Sequence, residues 1–358
     1  MILHLFREFS QKIKEQEPLS WLVKVTVWFL SLFIVYILGF FLVEDVSFEE
    51  AFWQGWQTFT TVGYGNRPAE TSIGRWLTIV LCTLGIAILG ALFSAAFDYR
   101  QHLINKKRLG LMINPFKDGY VIFNFPGEYQ LINFIKELRS VENDVGICIV
   151  DSRLEELPQS ISVLPKIHFV RGNTLSKETY ERAEICDNKS VIIFPTVANV
   201  PDSDGATKTI IDLVSRFIGE GNTRILHLLV DPSNSWMFDN VKSTQIMESF
   251  ELLALVQECQ DIYSAEIVEK LLLNSKGANP KTCKPNKIVG MTWGGFLKKS
   301  IEFSESTGTN CNPFALIRGG QPDTCPKLSE IIQKDDFISI IAHHNFDWAA
   351  FENEVTAD

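Results

Sequence analysis

Residues 60–66 read Thr60-Thr61-Val62-Gly63-Tyr64-Gly65-Asn66 and stand between two long apolar stretches. A dehydrated monovalent cation needs a cage of oxygens to replace its water. Copies of a short extended loop, set around an axis, supply that cage as successive rings of backbone carbonyls. Gly63 and Gly65 permit backbone angles that residues with a Cβ resist, so the carbonyls can all point one way. Thr61 can add a ring of hydroxyls at the inner end.

The flanks have the composition of membrane spans. Residues 22–43 are apolar except for Lys24, and residues 76–97 contain no charged side chain. About 20 apolar residues cross the hydrocarbon core as a helix. Residues 48–60 between them predict a short helix dipping into the membrane, with Glu49 and Glu50 at its amino end. The whole segment 48–66 then forms a re-entrant loop. Non-helical backbone at membrane depth survives only where protein buries it or where it lines a watery path. The loop therefore requires an assembly around an axis.

Charge sets the orientation. Arg7, Lys12, Lys14 and Lys24 precede or open the first span, and Arg100, Lys106, Lys107 and Arg108 follow the second. The segment between carries Glu44, Asp45, Glu49, Glu50 and Glu70 against Arg67 and Arg75. Lysine and arginine favour the cytoplasm, which predicts a multi-pass cell (inner) membrane protein in the lipid bilayer, both termini inside. Residues 1–17 place Ile2, Leu3, Leu5, Phe6, Phe9 and Ile13 near helical spacing among basic residues. This predicts an amphipathic helix on the inner membrane surface, with a soluble partner helix as the alternative.

On these residues, positions 20–98 resemble the pore of two-span K⁺ channels, whose filter is TVGYG. The resemblance implies that four chains make one pore and that K⁺ is the permeant ion, held by Thr61, Val62, Gly63, Tyr64 and Gly65. It places Trp53, Trp56 and Tyr64 in an aromatic cuff around the filter. Many members have aspartate where this chain has Asn66, and some have glutamate where it has Gln57. A Gln57–Asn66 hydrogen bond, shared with the Trp53 indole, would support the filter without burying charge; the alternative leaves both amides in water. Gly85 aligns with the hinge glycine of the second span, and Gly90 is a second candidate. Close helix packing explains such glycines equally well. Gly90 and Ser94 share a helix face that would line the inner pore, with Asp98 one turn further on.

Beyond residue 101 the composition becomes that of a water-soluble domain. The net charge of −10 argues against a nucleic-acid polymer as partner. Seven cysteines occur without a CxxC, which reads as free thiols. Apolar runs at 119–123, 145–150, 167–170, 191–194 and 225–230 alternate with helical patterns at 129–140, 177–183 and 206–218. That alternation predicts an α/β domain on a parallel sheet. With Asp151 at the second strand's end and Val170-Arg171-Gly172-Asn173 at the third, residues 118–242 resemble the Rossmann-like lobe of RCK domains, regulators of K⁺ conductance. The resemblance implies a ring of such domains beneath a homotetrameric pore, with further RCK subunits as one option, and a regulatory ligand, Ca²⁺ or a nucleotide.

The ligand residues depart from the pattern. A dinucleotide fold carries GxGxxG after its first strand. Here Asn124-Phe125-Pro126-Gly127-Glu128-Tyr129 supplies one glycine, a proline and an acid. Asn124, Gly127, Asp151 and Arg171 are the nucleotide candidates, and Asp151 can take a ribose or cap the helix after it. Pro195, Leu228 and Val230 stand where calcium-gated members place acids or their neighbours. Asp202 and Asp204, in a turn-like DSDG run, are the remaining Ca²⁺ candidates, with a solvated turn as the alternative.

Residues 99–117 read as a linker and 243–285 as a crossover and dimerisation region, with one long apolar helix over 248–274. Residues 286–358 read as a small α+β lobe with strands at 314–317 and 337–342. The fold expected is thus a membrane α-helical pore, two spans with a re-entrant helix and filter, joined to an α/β RCK domain. The function expected is a ligand-regulated K⁺ channel and not an enzyme. Alternatives are a nonselective cation channel and a membrane-anchored nucleotide-dependent enzyme.

Overall fold

A computed structural model describes residues 17–247, 250–274 and 277–356. The expected helix over residues 1–17 lies outside them but for its last residue. The chain divides after Leu111 into two compact units.

The first unit is helical. Helix α1 is Glu17–Val43, α2 is Phe48–Phe59 and α3 is Ser72–Arg108. Both α1 and α3 are long and apolar enough to cross a membrane. Ser47 and Glu50 close a reciprocal capping box at the start of α2, which fixes where this short helix begins. Phe33, Tyr36, Ile37 and Phe40 of α1, Ala51 and Phe59 of α2 and Leu81 of α3 form one buried cluster. Trp28, Ile34, Val35, Ile79 and Phe93 are exposed in the single chain; lipid or neighbouring copies can cover such a surface.

The second unit carries a six-stranded parallel sheet in the order β3-β2-β1-β4-β5-β6. Its strands are β1 Tyr120–Phe123, β2 Ile147–Asp151, β3 Ile167–Arg171, β4 Ser190–Ile193, β5 Arg224–Leu229 and β6 Thr244–Met247. Helices α4 (Glu128–Val141), α5 (Gln159–Ser162), α6 (Lys177–Ala183) and α7 (Ser203–Ile218) connect them. Both faces are buried, which is why the strands read as continuous apolar runs. Val121 and Phe123 enter one core with Cys148, Val150, Val191 and Ile193. Ile122 enters the other with Ile147, Ile149 and Ile192.

Helices α8 (Phe250–Gln260) and α9 (Ser264–Leu272) follow. The last lobe has an antiparallel sheet in the order β7-β10-β8-β9, from Asn279–Cys283, Cys311–Arg318, Gln321–Asp323 and Phe337–Ala342 for β7 to β10. Helices α10 (Trp293–Thr307) and α11 (Trp348–Val355) pack on it through Trp293, Phe296 and Phe351.

The expected α/β class holds, and four details differ from expectation. The second span's helix continues to Arg108, so 99–108 are not a loose linker; no Gly or Pro interrupts the chain there before Gly110, whose φ is 68°. The helix expected over 248–274 is broken at Tyr263, where φ is 70°. Glu258 turns to accept from the Tyr263 and Ala265 amides at 3.0 and 2.8 Å, which starts α9 separately. Strand β6 was not expected, because its four residues show little apolar signal. Residues 279–283, read as part of the crossover region, instead form strand β7, which pairs with β10 and belongs to the last lobe.

Candidate ion pore and regulatory site

Residues after α2 leave the helix in an alternating backbone. Thr61, Gly63 and Gly65 have φ of 62°, 57° and 66°, whereas Val62 and Tyr64 stay at negative φ. Alternation of this kind brings successive carbonyls to one side of the loop, and glycine makes it cheap at two of the three positions.

Gln57 gathers the amides of this loop. Its backbone carbonyl accepts from Val62 and Gly63 at 3.0 and 3.1 Å. Its side-chain Oε1 accepts from the Tyr64 amide at 3.0 Å. Its Nε2 donates to Asn66 Oδ1 at 3.0 Å and also to Gln54 Oε1. Gln57 is 2% exposed, so no charge is buried behind the loop. Three of the loop's donors, the amides of Val62, Gly63 and Tyr64, are spent on Gln57, while among the described residues no carbonyl of 61–65 accepts a hydrogen bond. Trp53 stacks on Tyr64 with centroids 6.0 Å apart and planes 7° apart; no bond joins its indole to the Gln57–Asn66 pair.

The loop beyond the filter is tied down by Glu44, one of the acids counted above only for orientation. Its carboxylate accepts from the Glu70 and Thr71 amides at 3.0 and 3.1 Å and from Thr71 Oγ1 at 2.6 Å. Thr71 caps α3 by accepting from the Gly74 amide.

On α3, Gly85 is buried, and a Cβ there would lie 3.3 Å from the Phe59 ring. Gly90 has open space where a Cβ would go. Gly90, Ser94 and Asp98 are all exposed in the single chain, at the spacing of one helix face.

In the second unit the nucleotide candidates come together at the carboxyl ends of the strands, where sheet order reverses between β1 and β4. Ligands of open α/β sheets bind at such a point. Here the polar groups are engaged with one another. Asp151 is fully buried and accepts from the Phe125 amide at 2.7 Å and from Arg153 Nη2 at 2.6 Å. Burial would raise its carboxyl, but the bonds from Arg153 and these amides outweigh it and hold it below its usual range. Arg153 also donates to the Thr196 carbonyl, bridging the ends of β2 and β4. Asn124 Nδ2 donates to the Phe194 carbonyl at 2.7 Å. Asp151 thus neither caps a helix nor offers a free carboxylate to a ribose. Gly127, at φ 114°, opens α4, and Glu128 beside it accepts from Ser160. Arg171 ends β3 opposite Asp151 in the sheet register.

The Ca²⁺ candidates are not brought together. Asp204 is fully buried in the first turn of α7 and accepts from the Val230 amide, the Asp231 amide and Asn234 Nδ2 at 2.9, 3.1 and 2.9 Å. It ties α7 to the end of β5. Asp202 is exposed at the helix start. Among the described residues no group of three His, Cys, Asp or Glu side chains is placed to hold a metal ion.

Fold and site together define a class: two long apolar helices flanking a short helix and an alternating loop, in a chain that also carries a Rossmann-like α/β domain. Residues 23–101 match the ion channel family. The chain is 25% identical to probable potassium channel protein 2 of Methanocaldococcus jannaschii over 48% of its own length and 50% of that protein's. It is 26% identical to the calcium-gated potassium channel TvoK of Thermoplasma volcanium over 68% and 69% of the two chains. The GsuK channel bound to NAD covers 96% of this chain and 60% of its own at 12% identity and a TM-score of 0.47. The chain spans about half the length of the first curated relatives it matches. Its resemblance is to two-span K⁺ channels with an RCK domain.

Proposed function

We propose that the protein is a K⁺-selective channel, built as a homotetramer in the cell membrane with both termini cytoplasmic and regulated by its α/β domains. The observation that carries this reading is the division of labour at Gln57. The Val62, Gly63 and Tyr64 amides are satisfied behind it, and the loop's carbonyls stay free to replace the water of an ion. Gly90 and Ser94 line the inner pore in this reading, and Gly85 and Gly90 are the places where α3 bends. A nonselective cation channel would not need so fully specified a filter.

Reversal potentials in mixed K⁺ and Na⁺, recorded from purified protein in bilayers, test the proposal. A strong preference for K⁺ is expected, and equal permeability would reject it. Gly63→Ala is expected to collapse conduction or selectivity, since a Cβ resists φ near 57°. Unchanged permeability ratios in that variant would remove the filter assignment.

The relatives bring two ligand classes to consider, Ca²⁺ and adenine nucleotides. Neither fits readily: Asp204 is used inside the fold, and Asp151 is held by Arg153.

A further inference from the structure

A cleft of about 540 Å³ lies at the carboxyl ends of β1, β4 and β5, within the size range of small-molecule sites. Phe125, Tyr129, Phe134 and Phe194 give it aromatic walls. The Phe134 and Phe194 rings meet edge to face at 6.4 Å. Gln130 and Asn133 of α4 add side-chain amides. Among the described residues no lysine or arginine lines it, and Glu251 is the one carboxylate. Arg153, just after β2, is committed to Asp151 and to the Thr196 carbonyl.

We propose that this cleft binds an uncharged planar ring compound of nucleobase or nucleoside size, rather than a phosphorylated nucleotide or a metal ion. Aromatic walls stack on a flat ring, and amides satisfy both donors and acceptors on its edge. A diphosphate would meet Glu251 without a lining cation among the described residues and without the glycine turn that opens a helix end to phosphate. A calcium ion would find amides and rings where it needs several oxygens. Arg153 acts as a built-in occupant of the ribose-binding carboxylate, which moves recognition from the sugar and phosphates to the ring. The proposal deepens the reading of a ligand-regulated channel and relies on that reading for its role in gating.

Calorimetric titration of the full-length protein in detergent with adenosine, ADP and CaCl₂ tests it, with K⁺ flux of the same preparation measured in liposomes. Adenosine and ADP share the ring and differ by the diphosphate. Saturable adenosine binding is expected, with ADP about tenfold or more weaker through like-charge repulsion and no saturable Ca²⁺ binding. Phe134→Ala and, with less disturbance of packing, Asn133→Leu are each expected to weaken adenosine by about tenfold. Arg153→Ala removes a cation and exposes the Asp151 carboxylate, so it is expected to widen the gap between adenosine and ADP. ADP binding as tightly as adenosine, saturable Ca²⁺ binding at the cleft, no saturable adenosine binding, or adenosine binding indifferent to both cleft variants would overturn the proposal. Flux without adenosine binding counts against this site alone, and adenosine binding without flux counts against the channel reading alone.

Discussion

Gln57 offers Oε1 to the Tyr64 amide and Nε2 to Asn66, and an ionised carboxylate in its place could make only the first of these bonds. Gln57→Glu keeps the acceptor and, when ionised, loses the donor, setting a buried negative charge against Asn66 Oδ1. Its K⁺ conductance is expected to fall at neutral external pH and to recover partly in acid, as the carboxyl regains a proton to donate. Conductance against external pH in bilayers checks this, and a wild-type-like flat profile would show that the donor is dispensable. The pairing of Gln57 with Asn66 was legible because two amides stand where charged partners are usual. The convergence of Val62, Gly63 and Tyr64 amides on Gln57 was not, since it depends on how the loop curls.

His227 is a second residue-scale case. Its imidazole is fully buried on β5 and stacks on Phe238 at 4.4 Å. Burial pushes its pKa down to about 4, against an opposing pull from Asp204. The unfolded chain therefore binds a proton that the folded chain refuses between pH 6.5 and about 4. The group's contribution is fully present above pH 6.5 and is lost as pH falls toward 4, on the order of 3 kcal/mol in all. Thermal unfolding of the full-length protein is expected to drop more steeply in acid than that of His227→Leu. Equal pH slopes would place the acid sensitivity elsewhere. Asp204, near this site, shows why sequence misled: an acidic residue in a DSDG run looks the same whether it binds a cation or caps the end of a strand.

At the scale of elements, the segment between the units is short. Helix α3 ends at Arg108, and by residue 112 the chain is already bonded to the α/β domain. His168 Nε2 lies 3.2 Å from the Met112 carbonyl. Asn114 is buried; its amide donates to the Arg182 carbonyl at 2.8 Å and its Nδ2 to the Ala183 carbonyl at 3.0 Å. Movement of the domain would therefore reach α3 through residues 109–111. Asn114→Ala removes side-chain bonds worth about 1 kcal/mol each. Faster hydrogen exchange at residues 112–118, with the sheet still protected, is expected; unchanged protection would mean that other contacts hold the tether. The two glycines of α3 separate in the same way. Gly85→Ala presses on Phe59 of the pore helix and is expected to alter unitary conductance. Gly90→Ala meets open space, stiffens the helix by about 1 kcal/mol, and is expected to lower open probability alone. Single-channel records distinguish the two, and identical effects would reject the assignment. The resemblance to two-span K⁺ channels singled out Gly85 in the sequence, with Gly90 as a second candidate. Only the fold shows that one of them has a neighbour.

At the scale of the whole molecule, α8 and α9 carry apolar surface that the single chain does not cover. Leu253, Leu255, Val256, Ile262, Ile267 and Leu272 are each at least 56% exposed. Apolar area of this kind marks an interaction surface, and pairing of α/β domains through it would cover it twice over. The proposed tetramer would bring four such domains, and residues 279–356 hold an antiparallel lobe and no second Rossmann-like sheet. A ring of eight would need four more copies from another source. Met112 is the first residue of the second compact unit, so translation starting there would yield that unit without the pore. Purified channel on a denaturing gel is expected to show a second band near the mass of residues 112–358, in equal amount to the full chain. Met112→Leu removes the start while keeping the carbonyl that faces His168, so loss of the band in that variant would report initiation and not unfolding. A single full-length band together with a tetrameric native mass would mean that the ring closes with four domains, and the apolar faces of α8 and α9 would then have to pair among those four.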